Sequence, residues 1–188
     1  HAPSAADTAV IDTPTGPLIS TSAANADKLF IGAGAIGVVT ANGQSLNTNE
    51  ATLGNSANAS GTLTLNGANW TNTANAYIGN IGTGIVTLNG GAQATISGQT
   101  YLGASSGSSG DLSIDGGSIF SATGTFFIGY AGGATGSFSI VDGTANTQNA
   151  SIADGVNASG NATIRGGSST WTNTGTLTVG GGGVGTVT

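Results

Sequence analysis

Apolar and polar positions alternate along most of this chain in short bursts of period two. In Gly61-Thr-Leu-Thr-Leu-Asn-Gly67, Leu63 and Leu65 alternate with Thr62 and Thr64, the pattern of a strand with one buried face. The burst returns as Gly37-Val-Val-Thr-Ala-Asn-Gly43, Gly84-Ile-Val-Thr-Leu-Asn-Gly90 and Gly110-Asp-Leu-Ser-Ile-Asp-Gly116, then with variation from Gly136 and Gly160. Its starts fall at 37, 61, 84, 110, 136, 160 and 185, so the steps are 24, 23, 26, 26, 24 and 25 residues. A second anchor keeps the same period: Ile31-Gly32, Leu53-Gly54, Ile78-Gly79, Leu102-Gly103, Ile128-Gly129, Ile152-Ala153 and Val179-Gly180. Two anchors in phase over six steps predict a structural repeat and set low-complexity disorder aside.

The columns of the repeat predict how its units meet. One inward column reads Val39, Leu63, Val86, Leu112, Phe138, Ala162 and Val187; the other reads Ala41, Leu65, Leu88, Ile114, Ile140 and Ile164. Between them runs an outward column of hydroxyls: Thr40, Thr64, Thr87, Ser113, Ser139, Thr163 and Thr188. Asn-Gly or Asp-Gly closes most units, where a positive φ is cheap. A further strand then carries Trp70, Ala94, Phe120 or Trp171, each eight residues before the aliphatic anchor. A unit this short has no room for a helical crossover, so successive units add one strand each to parallel sheets. The fold class expected is all-β: a right-handed parallel β-helix of six to seven coils, about 30–35 Å long, the hand following the general rule for parallel crossovers.

Composition narrows the chemistry. Only 2 of 188 residues are Lys or Arg and 8 are Asp or Glu, for a net charge of -6. Charged residues make up 5%, against about 25% in an ordinary soluble domain. Two cations do not build a basic stripe, which excludes nucleic acid as a partner. There is no Cys, hence no disulfide framework, thiolate metal site or thiol nucleophile. The only imidazole is His1, at the chain start, which argues against a His-based general base. No apolar run reaches the ~20 residues of a membrane span, so this segment is expected not to insert into a membrane directly.

The repeat Gly-x-aliphatic-Thr/Ser-Leu/Ile-Asn/Asp-Gly is followed by an aromatic-Thr-Asn-Thr stretch and an aromatic-aliphatic-Gly anchor. It resembles the repeat shared by bacterial type V secretion autotransporter passengers and PEP-CTERM exported proteins. Trp70-Thr-Asn-Thr73 with Tyr77-Ile-Gly79, and Trp171-Thr-Asn-Thr174 with Val179-Gly180, are its best copies. The resemblance covers about residues 28 to 188. It implies a secreted, non-enzymatic passenger at the bacterial cell surface, acting in adhesion or self-association. Passengers of this kind are exported and held by a C-terminal barrel. Because Thr188 falls inside a unit, that anchoring region is expected outside this chain. Competing readings are a passive stalk presenting another module, an ice-binding protein, and a polysaccharide-active enzyme.

Residues 1–27 lack the repeat and hold all three prolines, Pro3, Pro14 and Pro17. They are expected to form an N-terminal cap over the open solenoid end, with residues 28–188 as the β-helix. No initiator Met or cationic leader precedes them, so a signal peptide is expected to have been removed or omitted.

Three surfaces are candidates for function. The turn column Asn42, Asn66, Asn89, Asp115, Asp142 and Arg165 stacks the few charges, and Asp115 with Asp142 is the one pair to test against glycosidase spacing. The extra residue Val141 is expected to move Asp142 off that column. Calcium-binding repeats need an Asp in every copy, so no metal and no cofactor are expected. The hydroxyl column suggests water ordering, but Val38, Ile85, Asp111, Ser137 and Asn161 make its neighbouring column irregular. The third surface is the column before the anchor: Phe30, Thr52, Tyr77, Tyr101, Phe127, Ser151 and Thr178. Tyr77, Tyr101 and Phe127, in consecutive coils, are expected to form an aromatic stripe: either an exposed one that contacts a second copy, a surface glycan or a protein, or a ladder that packs under a neighbouring loop or stabilises the strand face.

Overall fold

The computed structural model describes residues 6–188. In chain order its strands are β1 (Thr8–Ile11), β2 (Leu18–Ile19), β3 (Ala24–Ile31), β4 (Ile36–Asn42), β5 (Ser45–Leu53), β6 (Ser60–Asn66) and β7 (Asn69–Asn72). They continue with β8 (Ala76–Ile78), β9 (Thr83–Asn89), β10 (Gln93–Ile96), β11 (Thr100–Leu102), β12 (Ser109–Asp115) and β13 (Ile119–Ile128). The last are β14 (Thr135–Val141), β15 (Thr144–Ile152), β16 (Ser159–Arg165), β17 (Thr170–Asn173), β18 (Leu177–Val179) and β19 (Val184–Val187). No helix occurs among the described residues. The chain winds between two parallel sheets, one of eight strands (β2, β4, β6, β9, β12, β14, β16, β19) and one of eleven. It is a parallel β-solenoid.

The pairing follows the sequence columns residue by residue. In the eight-stranded sheet Val39 opposes Leu63, then Val86, Leu112, Phe138, Ala162 and Val187 in succession. In the other sheet the anchor column runs Ile11, Ile31, Leu53, Ile78, Leu102, Ile128, Ile152, Val179. That makes eight rungs where six or seven coils were expected. The additional rung comes from the segment before residue 28. There β1 pairs in parallel with β3, Ile11 against Ile31, and β2 pairs with β4, Leu18 against Thr40. These strands have no repeat motif of their own, and the edge of β3 and β4 supplies their template. The 27/28 boundary falls inside β3.

The core lies between the sheets as stacked columns, with Leu63, Leu65, Val86, Leu88, Ile114 and Ile140 inaccessible to solvent. From Trp70 on, one column alternates large and small side chains: Trp70, Ala94, Phe120, Ala145, Trp171. Alternation lets neighbouring rungs interdigitate without gaps. Phe138 from the opposite sheet packs edge-on against Phe126 (5.1 Å) and Trp171 (5.3 Å). The glycine that opens each burst is also a packing requirement. A β-carbon on Gly61 would sit 2.0 Å from the Ile31 carbonyl oxygen, and one on Gly110 2.1 Å from that of Ile78. The two sheets meet at this corner too closely for any side chain.

The Trp-Thr-Asn-Thr stretch has a specific task. Trp70 Nε1 donates to Thr48 Oγ1 (2.9 Å), and Thr48 Oγ1 donates to Asn72 Oδ1 (2.7 Å). Asn72 Nδ2 then donates to the carbonyls of Ala74 (2.7 Å) and Asn75 (3.1 Å), closing the turn between β7 and β8. Four rungs on, Trp171, Thr147 and Asn173 repeat the relay at 3.0 and 2.8 Å. A buried indole N–H and a buried amide are thereby satisfied. The spacing from the aromatic column to the anchor is seven residues where the strand is continuous (β5, β15) and eight where a turn or the β13 register shift intervenes.

Candidate functional site

The pre-anchor column is formed as a ladder. Tyr101 lies opposite Tyr77 on one side and Phe127 on the other. The Tyr77 and Tyr101 rings stack at 5.1 Å and 3°, those of Tyr101 and Phe127 at 5.1 Å and 8°. Adjacent rungs are about 4.8 Å apart, so rings on successive rungs meet face to face almost automatically. That stacking covers part of the expected stripe. Tyr101 has both faces covered by its neighbours and is buried, while Tyr77 and Phe127, each stacked on one face, are half-buried. Tyr130, in the loop after β13, leans over the ladder edge-on, 5.0 Å from Tyr101 and 4.7 Å from Phe127. The phenols are tied down as well: Asn75 Nδ2 donates to the Tyr77 hydroxyl at 3.1 Å, and the Tyr101 hydroxyl donates to Gln99 Oε1. Burial, then the neighbouring Tyr77 and Tyr130 phenols, push the Tyr101 phenol up from its ordinary value.

The loop that carries Tyr130 follows the anchor in every rung and adds a feature that column analysis missed. Ile81 is 44% exposed, Tyr130 38% and Val156 70%; Ile36 and Val184, which open β4 and β19 in the column of Ser60 and Ser159, are also exposed. Ile81, Tyr130 and Val156 mark out an apolar ridge at the corner between the sheets, interrupted between Ile81 and Tyr130 by the rung that carries Ala104-Ser105-Ser106-Gly107. Its signal was present in the sequence: single large apolar residues inside Gly-, Asn- and Ser-rich loops have no core to enter. They lay outside the period-two bursts and so outside both columns.

The other expected surfaces are placed as follows. In the turn column, Asn66 Nδ2 donates to Asn42 Oδ1 (2.8 Å) and Asn89 Nδ2 to Asn66 Oδ1 (3.3 Å). After Asp115 the column continues through Val141 to Arg165. Asp142 is turned out at a φ of 51°, where its Oδ1 accepts the Ser168 N–H at 3.4 Å. Val141 therefore takes the ladder position opposite Asp115, and Asp142 lies off the ladder. No group of three or more His, Asp or Glu suited to a metal occurs among the described residues. On the outer face of the eight-stranded sheet, Ser60, Thr83, Ser109, Thr135 and Ser159 form a second hydroxyl column parallel to that of Thr64. The column between them holds Ile85 and Asp111, which interrupts the hydroxyl array. Asp111 is partly buried there, and loss of solvent, opposed by a Ser137 hydrogen bond, raises its carboxyl above the usual range.

Searches of family models, curated proteins and solved structures returned no match to this chain.

Proposed function

We propose that this chain is a length of secreted bacterial cell-surface passenger that works by self-association, two copies meeting along the apolar corner. The observation that carries the reading is the ridge of Ile81, Tyr130 and Val156 beside the Tyr77–Tyr101–Phe127 ladder, on a rod with very few charges. Exposed apolar side chains aligned on one corner are the type of surface that marks association sites. A second copy is the occupant because both rods repeat at the same rung spacing. Ridge can lie along ridge about a two-fold axis, each residue meeting its counterpart region. Sparse charge leaves little repulsion to hold copies apart. In this contact Tyr130 and Val156 are the anchors. The ladder of Tyr77, Tyr101 and Phe127 holds Tyr130 in place. Location at the cell surface and anchoring through a C-terminal region belong to the same proposal and derive from the repeat resemblance.

The test is sedimentation of the parent against the triple variant Ile81→Ser, Tyr130→Ser, Val156→Ser. All three positions are exposed, so the fold is expected to persist in circular dichroism. The parent's average mass should rise above 17.8 kDa with concentration while the variant's stays there. Equal association of both proteins would show that the contact lies elsewhere.

A further inference from the structure

The outer side of the eleven-stranded sheet carries two open cavities at the same corner, four rungs apart. One, of about 380 Å³, is lined by Asn25, Asp27, Asn47, Asn49 and Thr73 among others. The second, of about 510 Å³, is lined by Ser121, Thr123, Asn146, Gln148 and Thr174 above Ala122 and Thr147. Both are shallow depressions, wide open to solvent. Their polar groups are in different states. In the first, Asn47 Nδ2 donates to Asn25 Oδ1 (2.9 Å), Asn49 Nδ2 to Asp27 Oδ1 (3.1 Å) and Thr73 Oγ1 to Asn49 Oδ1 (2.9 Å). Each of these five side chains is engaged with another in at least one hydrogen bond. In the second, Thr123 Oγ1 donates to the Ser97 carbonyl and Thr147 Oγ1 to Asn173 Oδ1. The side chains of Ser121, Asn146, Gln148 and Thr174 have no hydrogen-bond partner among the described residues. Register explains the contrast: Asn25 faces Asn47, amide on amide, whereas Asn146 faces Ser121 and Thr172.

We propose that this second cavity is a binding subsite for an uncharged glycan. Two primary amides and two hydroxyls offer donors and acceptors in one patch, which matches sugar hydroxyls, each of them both donor and acceptor. Ala122 and Thr147 below them are buried, so the groups a ligand meets are these four side chains and Thr123. No charged side chain lines the cavity, so nothing there pairs with an anionic sugar or a charged peptide. The site lies on a sheet face away from the ridge and does not depend on self-association.

The experiment is an NMR titration of the ¹⁵N-labelled chain with three neutral probes: hexamers of β-1,4-glucose, β-1,3-glucose and N-acetylglucosamine. An oligogalacturonate serves as the charged comparison. At least one neutral hexamer should shift the amides of Ser121, Asn146, Gln148 and Thr174. Asn146→Ala with Gln148→Ala should weaken that binding by about tenfold or more, while Asn47→Ala with Asn49→Ala in the first cavity leaves it unchanged. Both pairs are exposed or half-buried, and resonances elsewhere report that the fold is kept. The proposal is overturned if no neutral probe shifts those amides, if the first double variant binds like the parent, or if the galacturonate binds more tightly.

Discussion

Thr100 in the fifth rung holds the one buried side-chain polar atom, its Oγ1, that lacks a hydrogen-bond partner among the described residues. The residue is inaccessible to solvent, and its column neighbours are Ala76 and Phe126. A hydroxyl buried without a partner costs about 1–3 kcal/mol. Thr100→Val exchanges it for a methyl group of nearly the same size. The β-branch that suits a strand is kept, and some apolar burial is added. The variant should be more stable by about 1–2 kcal/mol. For a chain of this length each kcal/mol corresponds to roughly 2–4 °C in Tm. The assay is urea unfolding followed by far-UV circular dichroism. The midpoint should rise while the slope stays constant, because the surface exposed on unfolding is unchanged. Thr64→Val on the outer face is the control and should move stability by no more than about 0.5 kcal/mol. A lower midpoint for Thr100→Val would mean that the hydroxyl has a partner after all, and the satisfaction argument for this core would fall.

Leu65 is fully buried between Ala41 and Leu88 in its column, so Leu65→Asp loses the leucine's burial and places an unpaired charge in the core. The expected cost, more than ~5 kcal/mol, is comparable with the whole stability of a typical domain, and the β-sheet signal should collapse at room temperature. Asp111 makes stability pH-dependent. Its raised folded-state value means that the native state binds more protons than the unfolded state just above the ordinary carboxylate range. The contribution is therefore present at low pH and is lost as pH rises through the raised value. Asp111→Asn should raise the urea midpoint at pH 7 and change it much less below pH 3.8; an equal gain at both pH values would contradict the assignment.

The repeat was legible because the physics that stacks rungs acts identically on each. A column of Leu, Val, Ile and Phe has to stay buried in every coil, and the glycine before it has to stay side-chain-free. Those two requirements leave two anchors in phase. The first rung was not legible for the complementary reason: Thr8–Ile11 and Leu18–Ile19 carry too few residues to show a period, and their pairing is imposed by β3 and β4. The displacement of Asp142 was foreseeable from one surplus residue, Val141. The ladder's positions could also be read, together with the alternative that its rings pack under a neighbouring loop; that Tyr130 is the residue that folds over them could not, because it lies in a loop outside the columns. Likewise, Asn146 and Asn47 look alike in sequence. Only the register, which gives one an asparagine to face and the other a serine, separates a corner whose side chains engage one another from an open one.

Because the chain contains no cysteine, a single introduced thiol reports contact at one chosen point. Val156→Cys places it on the apolar ridge, and Thr95→Cys places it on the exposed outer face of β10. Under mild oxidation the ridge variant should form disulfide-linked dimers at concentrations where the Thr95 variant remains monomeric, and adding Tyr130→Ser to the ridge variant should suppress them. Equal cross-linking at both positions, or none at Val156, would contradict association through this corner.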